Sequence, residues 1–155
     1  MKILITGEKG QVGTDLVLEA KKRNHHVFGF TSSVLDITKK TVVDSEISTI
    51  KPDVVINAAA YTAVDKAETE KDKAYAVNEV GVKNLADICK TLDIPLLHIS
   101  TDYVFDGRNF KPYCESYQTN PKSVYGQTKL DGELEMIKIN PKNSIIIRTS
   151  WVYSS

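Results

Sequence analysis

The first thirteen residues constrain the fold of this chain more than any other stretch. A short apolar run, Ile3-Leu-Ile5, leads into glycines at 7, 10 and 13, and Leu16, Val17 and Ala20 then fall at helix-face spacing. The pattern reads as strand, tight glycine turn and helix, the opening of a βαβ nucleotide-binding unit. Glycine accepts positive φ and lets a backbone approach a pyrophosphate closely. The N–H groups at the start of the helix face such an anion. The spacing is Gly-x-x-Gly-x-x-Gly, not the commoner Gly-x-Gly-x-x-Gly, and alone it is also compatible with a plain strand-to-helix turn.

The rest of the chain repeats the alternation. Strands are expected at His26 to Phe30, Val54 to Ile56, Pro95 to Ser100 and Ile145 to Thr149. Between them the periodicity predicts helices from about Thr38 to Ile50, from around Val64 to Leu92, and from about Ser123 to Ile139. Phe105 to Pro121 reads as irregular. Strands separated by crossover helices predict an α/β fold with a doubly wound, mainly parallel sheet and helices on both faces. A length of 155 residues suits one such domain, spanning 1–155. The chain stops just after a strand, with no closing helix, which reads as a truncated protein lacking a further C-terminal part.

Twenty basic and twenty acidic residues cancel, leaving no polyanion footprint, so nucleic acid is not an expected partner. No apolar run approaches the ~18 residues of a membrane helix, and none near Met1 has the length of a signal-peptide core. Two cysteines, Cys89 and Cys114, form no motif and fit a reducing, cytoplasmic setting. No metal site is expected: His25, His26 and His98 lack ligand spacing, and His98, inside an apolar strand, reads as a satisfied structural histidine.

Several groups carry chemistry. The end of the second strand reads Thr31-Ser32-Ser33 where dinucleotide folds often place a carboxylate for the ribose 2′-hydroxyl. Hydroxyls there tolerate a 2′-phosphate, which points to NADPH, alone or alongside NADH. Asp36 and Ile37 either flank an adenine or, for Asp36, cap the following helix. Asn57-Ala-Ala-Ala-Tyr61 closes the third strand with small residues that admit a ligand, Asn57 tying neighbouring strand ends together. Ser100-Thr-Asp-Tyr103 ends the fourth strand, and Tyr125 and Lys129 share one helix face four residues apart. A nearby ammonium lowers a phenol's pKa, so this spacing suits a Tyr125 acid-base group assisted by Lys129, with the Thr101 hydroxyl on a substrate carbonyl.

Thr6-Gly-Glu-Lys-Gly-Gln-Val-Gly13, Asn57-Ala-Ala-Ala-Tyr-Thr-Ala-Val-Asp-Lys-Ala-Glu68, Ser100-Thr-Asp-Tyr-Val-Phe-Asp-Gly107, Tyr125-Gly-Gln-Thr-Lys129 and Arg148-Thr-Ser-Trp-Val-Tyr153 occur in order. Together they resemble the dTDP-4-dehydrorhamnose reductases, a group of extended short-chain dehydrogenases/reductases, over essentially the whole chain. The resemblance implies a Rossmann domain and reduction of the 4-keto group of a dTDP-sugar by NADPH or NADH, giving dTDP-L-rhamnose for polysaccharide. It further implies Thr101, Tyr125 and Lys129 as the catalytic set. Gly7, Gly10, Gln11, Val12, Gly13, Thr31, Ser32, Asp36, Ile37, Ala59, Ala60 and Tyr61, with Tyr125 and Lys129, would hold the cofactor. Thr101, Asp102 and Trp151 would meet the substrate. Members of that group run to roughly twice this length, as a two-part enzyme would.

Related dehydratases carry an Asp-Glu pair after the threonine, whereas Thr101 is followed by Asp102-Tyr103. Another nucleotide-sugar reductase or epimerase of the superfamily, and a non-catalytic NADP-binding regulatory subunit, remain alternatives. Oligomeric state is open, a homodimer among the options.

Overall fold

The structure, a computed structural model, describes residues 1–153. Five strands, β1 (Lys2–Thr6), β2 (His26–Phe30), β3 (Val54–Asn57), β4 (Leu96–Thr101) and β5 (Ser144–Thr149), form one parallel sheet in the order β2-β1-β3-β4-β5. The sheet has the doubly wound class expected from the alternation. Its direction of growth reverses between β1 and β3, the switch point where such sheets bind ligands beyond their carboxyl ends.

Each strand carries apolar residues on both sides, as burial on two faces demands. Leu4, Val55 and Leu96 share one face, where they pack with Val43 and Ile47 of α2 (Lys40–Ile50) and with Met136 of the long helix near the C-terminus. Ile3, Ile5, Val54 and Ile56 meet α1 (Gln11–Lys22) through Leu16, Val17 and Ala20 on the other face. Over β4 and β5 this second face has no helix among the described residues, and Ile145 and Ile147 stand 53% and 43% exposed there.

Helix boundaries differ from expectation in two instructive places. Asp36 does not cap α2, whose N-cap is Lys39. Its Oδ1 instead accepts from the Thr38 backbone N–H (3.0 Å) and hydroxyl (2.7 Å), closing a local turn two residues ahead of the helix. The single helix expected from Val64 to Leu92 is broken into α3 (Val64–Ala67), α4 (Lys71–Tyr75), a π-helical turn (Ala76–Gly81) and α5 (Val82–Thr91). The π turn is held from outside. Asn78, 1% exposed, accepts from the Tyr61 backbone N–H (2.9 Å), and its Nδ2 donates to the Tyr61 carbonyl (3.1 Å) and to Thr128 Oγ1 (3.1 Å). Three tertiary bonds on one side chain outweigh the regular i→i−4 ladder, and such bulges recur at functional sites.

Helix α6 (Val124–Ile139) begins one residue after the expected start, where Ser123 Oγ accepts from the Gly126 N–H at 3.1 Å as a side-chain cap. It lies tight against the π turn. A Cβ on Gly132 would come within 2.0 Å of the Asn78 carbonyl oxygen. Alanine gains ~1 kcal/mol over glycine in a helix interior, but forcing volume into a close backbone contact costs ~1–3 kcal/mol. A 2.0 Å approach to backbone belongs at the upper end of that cost, so Gly132→Ala is expected to lower unfolding stability by about 2 kcal/mol in urea titration, and an unchanged midpoint would contradict this packing.

Candidate active site

The carboxyl ends of the strands open into a cavity of about 1000 Å³ that runs from the glycine turn to α6. At one end Gly7 has φ +72°, and a Cβ there would meet the Ala59 backbone nitrogen at 2.8 Å, so the β1 and β3 ends can approach only through glycine. Gly13 does not line the cavity. A Cβ on it would lie 2.0 Å from the Gly7 carbonyl oxygen, so its place is in the packing of α1 against the turn. Gly10, Gln11 and Val12 do line it. Gly10 gives α1 no side-chain cap, and the first turn holds no acidic residue. The free N–H groups of a 12-residue helix thus face the cavity with no acidic side chain in the helix's own first turn. Gln11 reaches across the opening, its Nε2 donating to the Val152 carbonyl at 3.0 Å.

Thr31, Ser32, Asp36 and Ile37 line the same end, and Lys9 adds a cation. The hydroxyls of Thr31 and Ser33 bond each other at 2.7 Å, while the Asp36 carboxylate is occupied by Thr38. Ala58 to Tyr61 form the middle of the wall. The Tyr61 phenol donates to Glu70 at 2.9 Å, and burial together with that carboxylate raises its pKa. Asn57 ties the strand ends as expected. Its Oδ1 accepts from Thr6 Oγ1 (2.6 Å) and the Ala59 N–H (3.2 Å), and its Nδ2 faces His98 Nδ1 at 3.0 Å.

The far end gathers Thr101, Asp102, Tyr103, Tyr125 and Lys129, with Trp151 82% exposed at the rim. Thr101 caps a 3₁₀ turn (Asp102–Val104), accepting from the Tyr103 N–H at 3.2 Å and donating to Asp102 Oδ1 at 3.2 Å. The Tyr103 ring meets Tyr125 edge-on, centroids 5.5 Å apart. Burial raises the Tyr125 pKa; the Thr101 hydroxyl opposes this, and Asp102 and Tyr103 add to it.

Here the structure departs from the expected assistance by Lys129. The lysine is 2% exposed, and its Nζ donates to the Ile99 carbonyl at 2.7 Å and sits 3.1 Å from His98 Nε2. Its hydrogen bonds run to β4 and not to the Tyr125 phenol, and burial is the main influence on the Tyr125 pKa. Burial brings the Lys129 pKa down to about 8, with Glu133 pulling the other way.

Two groups escaped sequence reasoning. Glu133, 1% exposed one turn beyond Lys129, accepts from the Ser100 hydroxyl and takes a two-pronged guanidinium from Arg148 of β5. Asn78, which fixes the Tyr61 backbone, is the other. Asn78 is one polar residue among the apolar Ala76, Val77 and Val80, with nothing local to mark it, and Glu133 looks like any solvated helical acid until the β4–β5 register places Arg148 above it.

With this geometry in view, comparisons with known proteins are consistent throughout. The family model described as the RmlD substrate binding domain matches residues 1–155. The chain is 44% identical over 154 residues to a dTDP-4-dehydrorhamnose reductase of Sinorhizobium fredii, covering 99% of this chain and 51% of that protein. It is 41% identical over 152 residues to the spore coat polysaccharide biosynthesis protein SpsK of Bacillus subtilis, covering 98% and 53%. Among solved structures, a dTDP-4-dehydrorhamnose reductase from Clostridium acetobutylicum superposes with a TM-score of 0.95 at 45% identity, covering 99% of this chain and 54% of that one. One from Bacillus anthracis, in complex with NADP, gives 0.95 at 37% identity, covering 98% and 54%. The chain thus spans about half the length of the relatives it matches. The motifs, the parallel sheet and these matches agree, and the chain belongs to the RmlD substrate binding domain family.

Proposed function

We propose that this chain forms the cofactor-binding half of a reductase that converts the 4-keto group of dTDP-4-dehydrorhamnose to the alcohol of dTDP-L-rhamnose. The observation that carries this reading is one continuous cavity, with a bare helix N-terminus and glycine turn at one end and Thr101, Tyr125 and Lys129 at the other. The first end fits a dinucleotide: Gln11 and Val12 present N–H groups to a pyrophosphate, while the Gly10 N–H closes the turn on the Gly7 carbonyl, and Thr31, Ser32 and Lys9 leave room and charge for a 2′-phosphate. NADPH is the preferred form, with NADH accepted, and bound it supplies the hydride.

Tyr125 supplies the proton. Its raised pKa keeps the phenol protonated through neutral pH, as a donor to a carbonyl must be before hydride arrives. Thr101 hydrogen-bonds the same oxygen, and the proton moves from the phenol to it as negative charge develops. The ammonium form of Lys129 then steadies the phenolate left behind. Asp102 and Trp151 at the rim contact the sugar nucleotide.

Trp151 is the only tryptophan, so its emission reports binding at the cavity mouth. Titration with NADPH is expected to change that emission saturably, and NADH to do so more weakly. In the full-length protein carrying this chain, NADPH is expected to be oxidised on addition of dTDP-4-dehydrorhamnose. Binding of NADPH with no oxidation, and capture of a partner protein instead, would replace the enzyme by a regulatory subunit.

A further inference from the structure

Lys129 occupies a place that an ammonium satisfies poorly. The usual partner for a helical lysine is an acid four residues on, here Glu133. That carboxylate is already taken by Arg148 and Ser100. What Lys129 meets instead is a backbone carbonyl and the ring of His98, which is fully buried.

The protonation of that ring follows from its other side. The Ala59 backbone N–H can only donate, so the Asn57 atom it meets is the oxygen, which also accepts from Thr6. The Asn57 amide nitrogen therefore faces His98 Nδ1 and donates to it. Nδ1 is the acceptor, and a neutral imidazole then carries its hydrogen on Nε2. A doubly protonated ring would set Nδ1–H against the Asn57 side-chain donor, a clash that outweighs the upward pull of the Asn57 backbone. Burial and the neighbouring lysine also hold the His98 pKa well below its ordinary value. The Nε2–H points at Lys129 Nζ, 3.1 Å away. An ammonium has no lone pair to receive it; a neutral amine has one.

We propose that His98 is a positioning residue for Lys129. With its tautomer set by Asn57, it holds the lysine beneath β4 as a neutral amine that donates to the Ile99 carbonyl and accepts from Nε2–H. When Lys129 takes a proton from solvent in the cavity, as most molecules do once the pH falls below about 8, two donors face each other across that contact. The ammonium then swings from its contacts on His98 and Ile99 further into the cavity that Lys129 already lines, toward Tyr125. The charges surrounding it are Glu133 on its own helix, neutralised by Arg148 from β5, and Asp102 across the cavity, which the ammonium approaches on release. Tyr125, one turn back on α6, stays neutral in this range. The stowed state stands on hydrogen-bond geometry alone. The use of the released ammonium rests on the reductase reading.

Nitrogen-15 NMR of the histidine rings decides the first point, since Nε2–H and Nδ1–H tautomers differ plainly in shift. His98 is expected as the neutral Nε2–H form across the titration, and an Nδ1–H form or an imidazolium at neutral pH would overturn the proposal. The Lys129 Cε resonance is expected to titrate with a midpoint near 8. In His98→Gln the side-chain carbonyl accepts from an ammonium, and the midpoint is expected to rise by a unit or more. A midpoint unmoved in a folded His98→Gln would reduce His98 to a filler, and should that variant not fold, the ring tautomer in the native chain still decides. Adding NADPH separates the two layers. At a pH above the native midpoint, where Lys129 is stowed, bound cofactor is expected to shift its Cε resonance, whereas NADPH binding that leaves Lys129 unmoved defeats the release. Failure of NADPH to bind at all defeats the reductase reading and leaves the tautomer result standing.

Discussion

Tyr125→Phe in the full-length protein is expected to lower NADPH-dependent reduction of the 4-keto sugar nucleotide by about 10²–10⁴-fold, the range supplied by a positioned acid. The phenol combines the location in the cavity and the protonation state for the step. Asp102 is held by the Thr101 hydroxyl, and Thr101 has no means of releasing a proton near neutral pH. NADPH affinity is expected to stay nearly constant, because the glycine turn, the α1 N-terminus and the alanine wall lie elsewhere along the cavity. The phenylalanine ring keeps the edge contact with Tyr103, so the fold is not at stake. Rates taken by loss of NADPH absorbance, beside a binding titration, separate the two effects. The pH profile adds a sign. Since burial raises the phenol's pKa, the acid form persists above the ordinary phenol range, and rate is not expected to fall on the alkaline side through loss of this proton. Turnover in Tyr125→Phe within a few-fold of the parent would remove Tyr125 from the role.

How much of this was legible in the sequence depends on how local each cause is. The β1 turn could be read because three glycines at fixed spacing have one shared reason, close backbone approach, and the structure supplies it at Gly7 and Gly13. Strand positions could be read because short apolar runs rich in β-branched residues, bounded by polar helical stretches, suit a strand buried on both faces and little else. Accordingly β2 falls at His26–Phe30 as expected. The break of the long helix could not be read, because its cause is Asn78 meeting Tyr61 and Thr128, 17 and 50 residues away. The Tyr125–Lys129 spacing placed both residues on one face of α6 and said nothing of where the lysine's four-carbon stem would turn. That depends on β4 presenting Ile99 and His98 beneath it. Likewise His98 was legible as a satisfied buried histidine, but its partners come from β3 and α6, which only the sheet register brings together. Asp36 shows a local rule misapplied. A good N-cap residue just ahead of a helix closed a separate turn, because Thr38 offered both its N–H and its hydroxyl first.

Arg148→Met is expected to cost about 3–5 kcal/mol of unfolding stability at neutral pH, the toll of leaving one member of a buried ion pair uncompensated. The geometry sets this pair apart from the surface pairs of the chain. Glu133 is 1% exposed and receives Arg148 Nε at 3.1 Å and Nη2 at 2.6 Å, with the Ser100 hydroxyl as its remaining donor. Exposed pairs such as Arg23–Glu19, with side chains 70% and 50% accessible, are instead worth ~0–1 kcal/mol. Methionine keeps much of the apolar stem over Phe105, whose ring lies 5.1 Å beneath the guanidinium and stacks on Tyr113. The stranded carboxylate would turn to Lys129, one helical turn back, so the Lys129 midpoint is expected to rise in the same variant that loses stability. Urea titration gives the first number and the Lys129 Cε resonance the second. Joining Glu133→Gln to Arg148→Met removes the buried charge altogether and is expected to restore at least half of the loss. A loss of under 1 kcal/mol in the single variant would return the pair to the rank of a surface contact. A full loss persisting in the double variant would place the cost in the stack of Arg148 on Phe105, and with it the anchoring of the irregular segment between β4 and α6.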